Sequence, residues 1–317
     1  MRSWLVLALV GVSLAACSDD PFINHDGAVP DQGQPADQQP ADLPPVGDGA
    51  VIPGDKDTLL LRGTVVTPAK VIQQGEVLTY KDEILCVAAS CAGEARAKTA
   101  TRIDTNGIIY PGLIDSHNHT QYNYLPVWKH SKMFTNHNQW QGASEYSSFM
   151  KLHRDLDNTL MCEMIKYGEV RSLVAGTTMI QGTPLRRCAD TLIRNADLPY
   201  HGLGKDHMRT NVIGVGTIDP SDATKLLSEF ASGKTTAYVI HLSEGIDETA
   251  RKEFDKLESL GLLKPQVVVI HGTALKQAEL TKKKQAGMPM IWSPSSNLDL
   301  CGATTDMTSV VKIGMTL

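Results

Sequence analysis

The sequence predicts an α/β protein, a (β/α)8 barrel of the TIM type preceded by a small all-β segment. Three observations predict it. After Pro111, apolar runs of strand length alternate with helix-like stretches, and such alternation implies a parallel sheet. Several of those runs are apolar throughout, as in parallel strands buried on both faces. Histidines end successive runs, at positions 117, 119, 241 and 271, and a barrel of this kind gathers its chemistry at the C-terminal ends of its strands.

The chain opens on Arg2 and the apolar stretch Trp4 to Val12, roughly ten residues and too short to span a bilayer as a mature helix. Leu14-Ala-Ala-Cys17 then places a cysteine after small residues, the pattern of a bacterial lipoprotein signal over residues 1–17. Cleavage before Cys17 would leave an acylated, palmitate-bearing cysteine as a membrane anchor in the cell envelope, since each buried methylene is worth about 0.8 kcal/mol. Ser18 after the cysteine resembles the enterobacterial rule that sorts to the outer membrane. Residues 18–56 are Asp, Pro, Gln, Gly and Ala, with too little apolar area to offset the entropy of ordering, and form an acidic, disordered tether.

About 260 of the 317 residues follow, enough for a barrel with a small companion. Thr58 to Val66, Gly75 to Tyr80 and Glu83 to Val87 are short strands between turns, forming an all-β segment over 57–110. The barrel occupies 111–317. Its strands are expected at Ile108 to Ile114, Thr177 to Gln181, Asn211 to Val215, Thr236 to Ile240, Gln266 to Ile270 and Met288 to Trp292. Between them, Asp219-Pro220 supplies an N-cap and a first-turn proline for a helix ending before Gly233, and Asp247 or Glu248 starts another that runs to Gly261.

The net charge of -5 gives no basic footprint for nucleic acid, and Lys282-Lys-Lys284 reads as a solvated helix face. Cysteines in an oxidising compartment favour pairing. Cys86 and Cys91 are close enough to close a small loop, Cys162 with Cys188 is a second possibility, and no CxxC pair suggests a cysteine zinc cluster.

On an extended chain His117 and His119 point to the same side, so two imidazoles converge on one metal ion and His241 is the obvious third ligand. Ile103-Asp-Thr-Asn-Gly-Ile, Pro111-Gly-Leu-Ile-Asp-Ser-His-Asn-His119, His241-Leu-Ser-Glu244, Val269-Ile-His271-Gly and Ser293-Pro-Ser-Ser-Asn297 resemble, in motif and in order, the amidohydrolase superfamily. More narrowly they resemble its mononuclear branch, which contains cytosine, guanine and S-adenosylhomocysteine deaminases and triazine hydrolases. The resemblance runs from about residue 57 to the end and implies that 57–110 is the small β-sandwich that begins most members of the superfamily.

It implies one divalent ion, zinc or alternatively iron, on His117, His119 and His241. Glu244 would carry protons between water and the leaving nitrogen, and His271 would polarise the substrate or bind metal weakly. Ser295, Ser296 and Asn297 would line the pocket of a small-molecule substrate. The binuclear branch needs a lysine closing the fourth strand, and the nearest, Lys205, lies in a turn. The family's remaining ligand, an aspartate closing the eighth strand, has no counterpart, because Asp299 and Asp306 come too early and the sequence given stops at Leu317. The resemblance therefore implies a barrel lacking its eighth strand. Two functions follow as expectations: a hydrolase of carbon–nitrogen bonds other than peptide bonds, or a catalytically impaired surface lipoprotein that binds a metal or ligand. Neither fixes the substrate or the oligomeric state.

Overall fold

The computed structural model describes residues 49–157, 159–183, 188, 191–198, 207–211 and 214–317. Cys17, the tether as far as residue 48, His201 and Lys205 lie outside the described residues. Two compact units result, the first ending at Gly112 and the second running from Leu113 to Leu317.

A second layer of the expected sandwich is not seen among the described residues of the first unit, which form one five-stranded sheet. Its strands are β1 (Ala50–Ile52), β2 (Asp55–Val66), β3 (Val71–Tyr80), β4 (Glu83–Ala88) and β5 (Ala100–Ile109), in the order β1-β5-β2-β3-β4. The sequence reading lacked most of β5, whose polar residues mask it. That strand is half-buried in alternation and lies parallel to β2. Apolar side chains gather in two clusters, one around Leu60 and Leu78, the other around Leu61, Val65 and Val77. The first cluster includes the Cys86–Cys91 disulfide, with the Cys91 N–H donating to Glu76 Oε2 at 2.7 Å.

The expected strand Ile108 to Ile114 is interrupted. Pro111 has no N–H to give a ladder, and the chain leaves β5 at Ile109 and resumes as β6 (Leu113–Asp115) in the second unit.

In that unit the strands are parallel but form two separate arcs, with no closed barrel among the described residues. One arc is β6, β7 (Thr177–Ile180) and β8 (Arg194–Asn195) in that order; the other runs β12-β11-β10-β9. The second arc comprises β9 (Met208–Asn211), β10 (Ala237–Leu242), β11 (Val267–His271) and β12 (Met290–Ile291). The strand expected at Asn211 to Val215 lies earlier, at 208–211, because Gly214 has φ 98° and Val215–Thr217 turns as a 3-10 helix. Asp219 caps the helix Pro220–Ala231 by accepting from Ser221 N and Asp222 N. The next helix is broken at Lys252 into Glu248–Arg251 and Glu253–Ser259. Ser293-Pro-Ser-Ser-Asn297, which alone would read as a turn, opens the helix Pro294–Cys301 with proline in its first turn. The Cys162–Cys188 pair is also bonded.

Beneath this arc, Tyr238, Ile240, Val267 and Val269 pack against Phe254, Leu257 and Leu280 of the surrounding helices. Phe254 has no exposed surface. Phe254→Ala should therefore lower the unfolding free energy by about 3–5 kcal/mol, measured by urea denaturation; a loss under about 1 kcal/mol would contradict this packing.

Candidate metal centre and active site

His117 and His119 stand just past β6, in a turn rather than at the end of an extended strand. Asp115 organises that turn. Its Oδ1 accepts from the His117 N–H (3.2 Å) and its Oδ2 from Asn118 Nδ2 (2.9 Å). The Asn118 N–H donates to the Gln181 carbonyl beyond β7 at 2.6 Å. Gly182, with φ 123°, approaches so closely that a Cβ there would lie 2.8 Å from the Asn118 carbonyl oxygen. The local sequence thus folds the two imidazoles together, their ring centroids 4.6 Å apart. His241, within β10, has its centroid 4.7 Å from that of His117 and 5.8 Å from that of His119. Each offers a nitrogen, and the three nitrogens lie within 4.8 Å of one another.

Which nitrogen carries the proton follows from the partners. The Nδ1 of His119 faces the Gly182 carbonyl (2.6 Å), that of His241 the Asn211 carbonyl (3.2 Å) and that of His117 Gln181 Oε1 (3.0 Å). A carbonyl oxygen only accepts, so each Nδ1 must donate and each Nε2 of a neutral ring is a bare lone pair. Burial keeps these rings neutral, holding His117 below the usual histidine range, His119 at about 4 and His241 at about 2. His117 Nε2 and His241 Nε2 nevertheless stand 3.0 Å apart, two acceptors with no proton between them. Two nitrogens on one tetrahedral zinc ion would be separated by about 3.3 Å. The donor set fits a divalent cation.

Glu244 lies in the turn after β10. That turn is stitched down on every side: Ser243 N–H donates to Glu253 Oε2 (2.6 Å), the His137 N–H to the Glu244 carbonyl (3.0 Å) and the Ile246 N–H to the Thr135 carbonyl (2.7 Å). Asp247 Oδ2 accepts from both Thr135 Oγ1 and Asn136 Nδ2 at 2.6 Å. A Cβ on Gly245 would fall 2.5 Å from the Thr135 carbonyl oxygen, so the approach needs glycine. Burial pushes the Glu244 carboxyl up to about 7, opposed by the charge of nearby His137. The Trp140 indole N–H turns towards Glu244 without completing a hydrogen bond.

His271 ends β11 and is buried, its Nε2 3.7 Å from Glu244 Oε2. Its Nδ1–H donates to Asn297 Oδ1 (2.9 Å), and burial draws its pKa to about 3. Asn297 is 2% exposed and serves His271, whereas Ser295 and Ser296 face the cavity. That cavity, about 1470 Å³, brings His117, His119, His241, Glu244 and His271 together, with Tyr122, Trp140 and Tyr146 as an aromatic wall.

Sequence reasoning missed Gln181, His137 and Glu253. Gln181 follows an apolar strand directly, the same signal that marked His241. His137 lines the cavity and binds Glu253 Oε1 through Nε2 at 2.6 Å; that hydrogen bond raises its pKa.

No protein-family model matches the chain, and no curated protein matches it by sequence. Its likeness is to solved structures, among them hydrolases and deaminases. A triazine hydrolase from Arthrobacter aurescens superimposes with a TM-score of 0.63 at 16% identity, over 82% of this chain and 70% of that one. A guanine deaminase from C. acetobutylicum with guanine in its active site gives 0.58 at 16%, over 82% and 73%. An adenosine deaminase from Xanthomonas campestris with bound zinc gives 0.53 at 15%, over 81% and 67%. At such identities the fold is what is shared.

Glu244 holds its proton more tightly folded, at about 7, than at its ordinary value of 4.5. Its contribution is thus fully present below 4.5 and is lost as pH rises through 7. In metal-free protein, the stability of Glu244→Gln relative to wild type should increase by about 2–3 kcal/mol between pH 5 and pH 8, read from urea midpoints. A difference that stays constant across that range would contradict the buried setting of this carboxylate.

Proposed function

We propose that the protein is a metal-dependent hydrolase of carbon–nitrogen bonds other than peptide bonds. It would release ammonia or an amine from an aminated heterocycle, or open a cyclic amide. One observation carries this reading: three imidazoles bring their nitrogens within 4.8 Å of one another on a cavity whose wall also holds a raised-pKa carboxyl, Glu244. His117, His119 and His241 would hold the ion. A divalent ion so held supplies Lewis acidity, bringing the ionisation of water near neutral pH.

The chain's own groups do the rest. Glu244, near neutrality, accepts a proton from the attacking water and returns it to the departing nitrogen. The reaction adds water across the bond, so carbon gains oxygen and the amine leaves with both hydrogens accounted for. His271, its Nδ1–H committed to Asn297, turns its Nε2 lone pair to the same side of the cavity, 3.7 Å from Glu244 Oε2. Ser296 and the aromatic wall would orient a planar substrate.

Purified protein should bind about one equivalent of zinc, lost in His241→Ala, and turn over members of a panel of aminated heterocycles and cyclic amides. Glu244→Gln should keep the zinc and lose at least about 100-fold in kcat. Zinc binding without turnover of any panel member would favour the alternative, a metal- or ligand-binding lipoprotein.

We also propose that Cys17 carries the lipid anchor of an envelope protein, probing the periplasmic or outer face on its tether. Among the described residues no helix is long and apolar enough to cross a membrane. Cys17→Ser should move the protein from the membrane to the soluble fraction; unchanged partitioning would refute the anchor.

A further inference from the structure

A carboxylate behind the metal centre reaches two of the three imidazoles. Asp197 follows β8 and is buried, 7% exposed. Its Oδ1 accepts from Gln181 Nε2 (3.0 Å) and Thr210 Oγ1 (2.6 Å). Its Oδ2 accepts from the backbone N–H groups of Gly182 (2.6 Å) and Thr183 (3.1 Å). Four donors converge on it, as on an ionised carboxylate. No cation pairs with its side chain among the described residues.

The direction of each bond matters. Thr210 Oγ1 donates to Asp197 and accepts from Gln181 Nε2 (2.9 Å). The Gln181 amide is therefore fixed with its NH2 towards Asp197 and Thr210, and Oε1 towards His117 Nδ1. The peptide joining Gly182 to Thr183, held by the Thr183 N–H on Asp197 Oδ2, carries the Gly182 carbonyl that accepts from His119 Nδ1. Thr210 also precedes Asn211, whose carbonyl serves His241.

We infer that Asp197 is the positioning residue of the metal centre: it fixes the acceptors that hold His117 and His119 as Nδ1–H tautomers, and it supplies buried negative charge facing the cation. Asp197 touches neither ion nor substrate. It acts through Gln181 and through a peptide bond, as an outer partner that orients ligands and raises their basicity. The part concerning the ion rests on the proposed metal site; the part concerning tautomers does not.

The experiment is nitrogen-15 NMR of the histidine rings in metal-free protein, together with zinc affinity by chelator competition, for wild type, Asp197→Asn and Gln181→Met. Wild type should show His117 and His119 protonated at Nδ1. Asp197→Asn should bring in the Nε2–H form of His117 and weaken zinc about 10- to 100-fold. Gln181→Met should change His117 alone, and it carries the test if Asp197→Asn does not fold, as judged by far-ultraviolet circular dichroism. Wild-type tautomers and wild-type zinc affinity in the folded variants would overturn the inference. Shifted tautomers in a protein whose wild type binds no zinc would support the positioning role and refute the metal site.

Discussion

Three histidine nitrogens with no proton to share are crowded into one half-buried place, and the surrounding polar structure is arranged to keep them that way. Lone pairs 3.0 Å apart repel, and in low dielectric the repulsion is not screened by water. A histidine free to choose would move its proton to Nε2 and relieve the contact. The Gly182, Asn211 and Gln181 oxygens deny that choice by demanding a donor at each Nδ1. A positive charge at the focus would relieve that repulsion, which is why an absent proton points to a cation site.

The second organising element is the turn that carries Glu244. Its backbone is held from within its own unit by Glu253, and by the segment Thr135 to His137 from the long excursion after β6. Many short hydrogen bonds on one turn restrict where the carboxyl can go. This is what a proton carrier requires, since misplacement by an ångström costs orders of magnitude in rate.

Much of this was legible in the sequence. The three histidines, Glu244 and His271 were found because each follows an apolar run, and the structure brings all five to one cavity. The strands of the second arc and the Asp219 cap were likewise visible as pattern and punctuation. What escaped has physical reasons. β5 is rich in threonine, aspartate and asparagine and gains its place by pairing with β1 and β2, a tertiary effect that local pattern does not carry. β8 is two residues long, too short for any periodicity, and so the carboxylate following it had no signal. Asn297 was placed on the substrate, whereas its side chain turns to His271, because motif order says which residues gather but not which way each one faces.

His271 has φ 73°, in the left-handed region where a side chain with a Cβ is disfavoured by about 1–2 kcal/mol. Its carbonyl is held there by the Thr305 hydroxyl at 2.7 Å. Glycine would occupy that backbone conformation without the strain, and asparagine with less of it. Under the proposed function, position 271 is thus one where folding and chemistry would favour different residues. A descendant released from catalysis would drift towards glycine there and become more robust, so the residue found at this one site in related chains would report whether a lineage still uses its cavity.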